Sequence, residues 1–67
     1  MCEANAYLVT ENGEELVLER VDRLIPRDGE LFLESIFGQQ KILKNTKIKS
    51  LALIDHKIYL ERISETD

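Results

Sequence analysis

Cys2 and His56 are the only thiol and the only imidazole in a chain of 67 residues, so metal or nucleophile chemistry begins with them. Neither stands in the CxxC or HxxxH patterns that mark a zinc site. Cys2 follows the initiator directly, and bacterial-type processing removes Met1 readily when the second residue is small. A cysteine exposed in that way carries a free α-amine beside its thiol, and the two donors close a five-membered chelate. Amine nitrogen and thiolate sulfur suit a borderline-soft divalent ion; two such pairs from a symmetric dimer make the N2S2 plane that Ni(II) or Cu(II) prefers. With Met1 retained, its amine, the ionised amide of Cys2 and the thiolate still offer three donors from one chain. The plainer alternative is that a cysteine near a terminus is an inert, small side chain.

His56 follows Asp55 in a segment that reads as a turn. A lone turn histidine is usually a solvated polar residue, with service as a second ligand the functional alternative. Asp55 is favoured in turns for its side-chain hydrogen bonds to the backbone. Ser35, Ser50 and Ser64 stand in no nucleophile motif, there is no glycine-rich phosphate loop, and Cys2 lies at a chain end where preorganisation is difficult. The sequence therefore names no catalytic residue, and the expectation is a binding protein, not an enzyme.

The formal net charge is −4, which argues against a protein built to neutralise phosphates. The distribution is uneven. Residues 39–50 hold Lys41, Lys44, Lys47 and Lys49 with no acid, and the rest of the chain carries five basic against thirteen acidic residues. A small β-barrel binding RNA along that basic edge is the rival reading, although Tyr7, Phe32, Phe37 and Tyr59 lie outside the segment that needs stacking platforms. Edge-strand lysines that discourage aggregation explain the same residues.

The elements that must position these residues read as strands. Asn12-Gly13 is the strongest hairpin signal, between segments 4–11 and 16–25; Pro26 and the Arg27-Asp28-Gly29 turn then stop the second and lead into 30–37. Gly38 precedes a short strand at 39–44, and 47–54 turns at Asp55-His56 into 57–63. A helix competes in one place: Asn12 with Glu15 resembles a capping box, and Val17, Val21, Leu24 and Ile25 fall at helical spacing. The consistent whole is nevertheless all-β, a small antiparallel barrel-like sheet of about five strands. Residues 1–63 make one domain and residues 64–67 a frayed tail. A core this small, burying roughly 60% of the unfolded surface, points to support from a metal or self-association. No apolar run reaches the roughly 18 residues of a membrane span, and the N-terminus has no signal-peptide pattern, so a cytoplasmic protein is expected.

Five stretches together carry a resemblance. They are Met1-Cys2, Ala6-Tyr7-Leu8-Val9 ahead of Asn12-Gly13, Glu14-Glu15-Leu16-Val17, Ile36-Phe37-Gly38 before a polar run, and the closing Leu53-Ile54-Asp55-His56-Lys57-Ile58-Tyr59-Leu60. In that order the chain resembles the CooT-type small nickel-binding proteins over nearly its full length. The resemblance implies an SH3/Sm-like small barrel, a homodimer, and Ni(II) held through the cysteine after the initiator, here Cys2. It also implies nickel handling or delivery for maturation of a nickel enzyme such as carbon monoxide dehydrogenase, and no ligand at His56. Some members carry an RNA-binding label. Pro26 and the step Ser35-Ile36-Phe37 depart from the family pattern, and both concern the scaffold.

Overall fold

Gly13 adopts φ 116° and closes the Asn12-Gly13 hairpin, joining β1 (Ala4–Thr10) to β2 (Gly13–Arg27). The computed structural model describes residues 3–63; Cys2 and the tail at 64–67 lie outside the described residues. Gly29, at φ 69°, turns β2 into β3 (Glu30–Ser35), and β4 (Gln40–Lys44), β5 (Thr46–Ala52) and β6 (Lys57–Arg62) follow. All six strands lie in one sheet in the order β4-β3-β2-β1-β6-β5. No helix is present among the described residues, and none is therefore long and apolar enough to cross a membrane.

The all-β, barrel-like expectation stands, with three corrections. The strands number six, one for each segment read from the sequence and one more than the stated count of about five; the sheet is mixed because β1 pairs with β6 in parallel, and the barrel is not closed by a ladder. A single residue explains all three. Asn45, at φ 55°, separates β4 from β5, which sit at opposite edges of the sheet and do not pair with each other. The chain therefore passes from one edge to the other through a corner. A hairpin there would have reversed its direction; the corner does not, so β6 arrives parallel to β1. Counted as one strand kinked at Asn45, β4 and β5 recover the expected five. The corner is tied by Asn45 N–H to the Gly29 carbonyl, by Ile63 N–H to the Asn45 carbonyl (2.7 Å), and by Thr46 Oγ1 donating to the Lys44 carbonyl (2.9 Å).

The helical spacing in β2 has a different cause. Leu18 faces Ala6 and Val21 faces Ala4, so β2 advances three residues while β1 advances two. The extra residue is a bulge, centred on Arg20 at φ 53°. It puts Leu18 and Val21 on the same buried face at a spacing of three, so the apolar residues of β2 depart from strict alternation, and Val17, Val21, Leu24 and Ile25 lie on this irregular strand and not on a helix. Asn5 Oδ1 accepts the Arg20 N–H (3.0 Å), and the Arg20 carbonyl accepts the Ile36 N–H (2.9 Å).

Pro26 does not stop the strand. Beyond Val21, β2 pairs only with β3, so its other side is an edge, where a missing N–H breaks no ladder.

The core is formed by alternating positions, Ala6 and Leu8 on β1, Leu31 and Leu33 on β3, Leu60 on β6, joined by Leu18 and Val21. Ser35 is the one buried polar residue at the end of β3, and its Oγ accepts the N–H groups of Phe37 and Gln39, both at 3.1 Å. Ser35→Ala leaves these two amides without their acceptor, a cost of about 1–3 kcal/mol. For a domain of this size the expected drop in Tm is roughly 5–20 °C, read by circular dichroism. An unchanged Tm would mean that water replaces the hydroxyl.

Candidate functional site

The structure brings the turn that carries His56 to the N-terminal end of β1. The parallel ladder sets Asn5 opposite Lys57 and Ala6 opposite Ile58, so β1 and β6 begin side by side. The Asn5 N–H donates to the His56 carbonyl at 2.9 Å, and the His56 N–H reaches the Leu53 carbonyl at 3.3 Å across the turn. His56 takes φ 56°, a left-handed conformation that histidine tolerates better than most residues. Its side chain is exposed and, among the described residues, makes no hydrogen bond or ion pair. Ala4, Ala52, Leu53, His56, Lys57 and Ile58 line a groove of about 280 Å³ at this end, walled mainly by apolar atoms.

Cys2 itself lies outside the described residues, and it precedes Ala4 by two positions in the sequence. Such a span is at most about 7 Å of extended chain. Glu3, the residue between, forms a 3.4 Å ion pair with Arg20, whose guanidinium also sits 5.6 Å from the centroid of the Phe37 ring. Both partners of that pair are substantially exposed, so it adds little stability. Among the described residues no three of His, Cys, Asp and Glu gather closely enough to hold a metal ion.

The lysines do not assemble into one surface. Lys41 lies opposite Leu33 on the core-facing side of β4, whereas Lys44 lies opposite Glu30 on the other side. Lys47 pairs with Glu61 at 3.7 Å, and Lys49 lies in a shallow cleft with Val9, Glu14, Ser50 and Tyr59. Acidic neighbours thus offset the two lysines of β5. Tyr59 shares the Lys49 cleft, and the aromatics are engaged with other groups: Tyr7 and Tyr59 lie 6.1 Å apart, Lys57 sits over Tyr7, and Arg27 sits over Phe32. An RNA-binding strip needs consecutive basic and stacking groups on one face, and this face does not supply them.

What the fold and this end of it define is a small all-β domain with no nucleophile–base constellation among its described residues. The family model for the CO dehydrogenase accessory protein CooT matches residues 1–61, and the chain belongs to that family. Its role is accordingly that of an accessory to CO dehydrogenase, not of the catalyst. Among solved structures it is similar to the crystal structure of a CooT candidate from Carboxydothermus hydrogenoformans, with a TM-score of 0.82 and 57% sequence identity over 91% of this chain and 97% of that one. No curated protein matches this chain.

Proposed function

We propose that this protein is a nickel-binding accessory protein that handles or delivers Ni(II) for the maturation of a nickel enzyme such as carbon monoxide dehydrogenase. The Cys2 thiolate and an N-terminal nitrogen hold the ion, which is cargo and not a resident cofactor. The observation that carries this reading is that the family match starts at Met1-Cys2, a donor pair suited to a borderline-soft divalent ion, in a family of accessories to CO dehydrogenase. The protein works in the cytoplasm as a homodimer, in which two chain ends complete a square-planar site. Support for self-association comes from Leu53 and Ile54, exposed at 76% and 91%, and from Phe37, Ile42 and Leu51, which also face outward on a domain with few fully buried side chains.

The test is a Ni(II) titration of freshly reduced protein, followed by ultraviolet thiolate-to-metal charge-transfer absorption. Intact mass records the fate of Met1, and light scattering the oligomer. Saturation near one nickel per dimer or per chain supports the reading; no absorption change overturns it. Affinity is expected to fall as pH drops from about 8 to about 6, because thiol and amine, with ordinary pKa values of roughly 8.5 and 7.7–8.0, must lose protons to bind. A flat profile would exclude this donor pair.

A further inference from the structure

β4 ends the sheet, and its outer edge is free among the described residues. Which residues face that edge follows from the ladder with β3. Ser35 N–H donates to the Gln39 carbonyl (2.8 Å) and Asn45 N–H to the Gly29 carbonyl, in step with the Leu33–Lys41 and Leu31–Leu43 pairs between them. The bonds to β3 therefore fall at the odd-numbered positions of this segment, and Gln40, Ile42 and Lys44 direct both backbone N–H and C=O away from it. Ile42 is apolar and yet 58% exposed. It lies on the outer face of the sheet in one cross-strand row with Phe32 and Ile25, flanked on its own strand by Gln40 and Lys44. An apolar row that runs out to an unpaired strand edge is a template for a further strand.

We propose that β4 pairs antiparallel with β4 of a second copy, about a twofold axis at Ile42. In that register Ile42 faces Ile42 of the second copy, Gln40 faces Lys44, and Lys41 faces Leu43. All the residues with outward backbone groups then meet in hydrogen-bonded pairs, each exchanging two bonds. The row Ile25, Phe32, Ile42 continues into the same residues of the second copy, so the interface is self-complementary. Lys44 also meets an acceptor: Gln40 Nε2 donates to Glu34 (3.3 Å), which leaves Gln40 Oε1 for the ammonium of the second copy. The lysines that would deter pairing at large select this one register. A shift of two residues one way sets Lys41 against Lys41, and the other way sets Lys44 against Ile42 and Lys41 against the corner at Asn45. Either shift also loses one of the hydrogen-bonded pairs. The contact is separate from the one that joins the chain ends, because β2 and β3 lie between β4 and β1, about 14 Å across the sheet. It joins two homodimers into a tetramer and does not depend on nickel.

The experiment follows the mass of the metal-free, full-length protein by sedimentation from dilute to concentrated solution, for the wild type and for Ile42→Lys. Ile42 is exposed in the single chain, so the variant is expected to keep its fold, which Tm checks; its new charge opposes its own copy across the axis. A second arm places Ile42→Cys or Lys44→Cys in a Cys2→Ser background, where no other thiol competes, and treats each with oxidised glutathione. Facing residues of a hydrogen-bonded pair have Cα atoms about 5.5 Å apart, within the span of a disulfide. The two Lys44 positions fall at opposite ends of the pairing, about 13 Å apart. The expected result is a tetramer for the wild type, a variant that stops at the dimer, and covalent pairs from Ile42→Cys but not from Lys44→Cys. A wild-type dimer that Ile42→Lys reduces to a monomer, with the same cross-linking, keeps the β4 contact and overturns instead the dimer that joins the chain ends. Equal masses for wild type and Ile42→Lys at every concentration, or cross-linking that does not differ between the two cysteine positions, overturns the β4 contact.

Discussion

Leu60→Ala is expected to remove a large share of this protein's stability. Leu60 is fully buried in the middle of β6, opposite Leu8 across the parallel ladder and opposite Ile48 across the antiparallel one. Truncation leaves a cavity between three strands that have little freedom to collapse, and Leu→Ala changes of this kind cost about 2–5 kcal/mol. A chain of this length has roughly 3–10 kcal/mol in total. The denaturation midpoint should therefore fall by about a fifth at least, and near the upper cost the variant is largely unfolded in water, as lost β-sheet dichroism would record. Leu53→Ala is the contrast, because Leu53 sits in the exposed turn of the single chain; at concentrations dilute enough to dissociate the dimer, its effect should stay within about 0.5 kcal/mol. Similar losses in the two variants would mean that Leu53 is buried in a dimer, and stability would then rise with protein concentration.

The alternation that places Leu60 inside is visible in the sequence. Ala6 and Leu8, Leu31 and Leu33, and Ile58 and Leu60 occur at period two between turn residues, and that sufficed for the all-β class. Local pattern misleads at β2, where the bulge at Arg20 converts period two into a spacing of three, and at Pro26, whose tolerance depends on the absence of a neighbour beyond Val21. Both facts concern partners in other strands. The parallel β1–β6 pair was hidden for the same reason: its direction follows from Asn45 making a corner where a hairpin would reverse the chain, and a single asparagine between two strand-like segments does not distinguish the two.

The candidate site divides along the same line. The donor chemistry of Cys2 is a property of residue type and position after the initiator, readable without a structure. Where His56 lies relative to the N-terminus is a long-range fact. Asp55-His56 reads correctly as a turn, but only the parallel ladder, which sets Asn5 beside Lys57, brings that turn to the start of β1. The lysines show the converse. Their sequence clustering suggests a patch, and the register then assigns Lys41 and Lys44 to opposite sides of β4.

Cys2→Ser should separate the metal from the scaffold more cleanly than any other change. Serine keeps the size and the adjacent nitrogen but replaces a thiolate with a hydroxyl that does not ionise near neutral pH, so the site loses its anionic, soft donor. Removing a direct ligand should cost more than the 10–100-fold typical of outer-shell partners, so nickel affinity is expected to fall by on the order of a hundredfold or more. That corresponds to at least about 2.8 kcal/mol. Charge-transfer absorption should vanish altogether, since it requires sulfur. Stability in the absence of metal should change by less than about 0.5 kcal/mol, because the first strand starts at Ala4 and, among the described residues, no core residue precedes Ala6. Unfolding curves with and without Ni(II) join the two measurements. Excess nickel should raise the wild-type midpoint in proportion to the logarithm of its concentration over Kd, and should leave the Cys2→Ser midpoint nearly where it was. A variant that keeps the wild-type affinity and the same nickel-dependent rise would move the binding site away from Cys2, and the N-terminal chelate would no longer account for the accessory role.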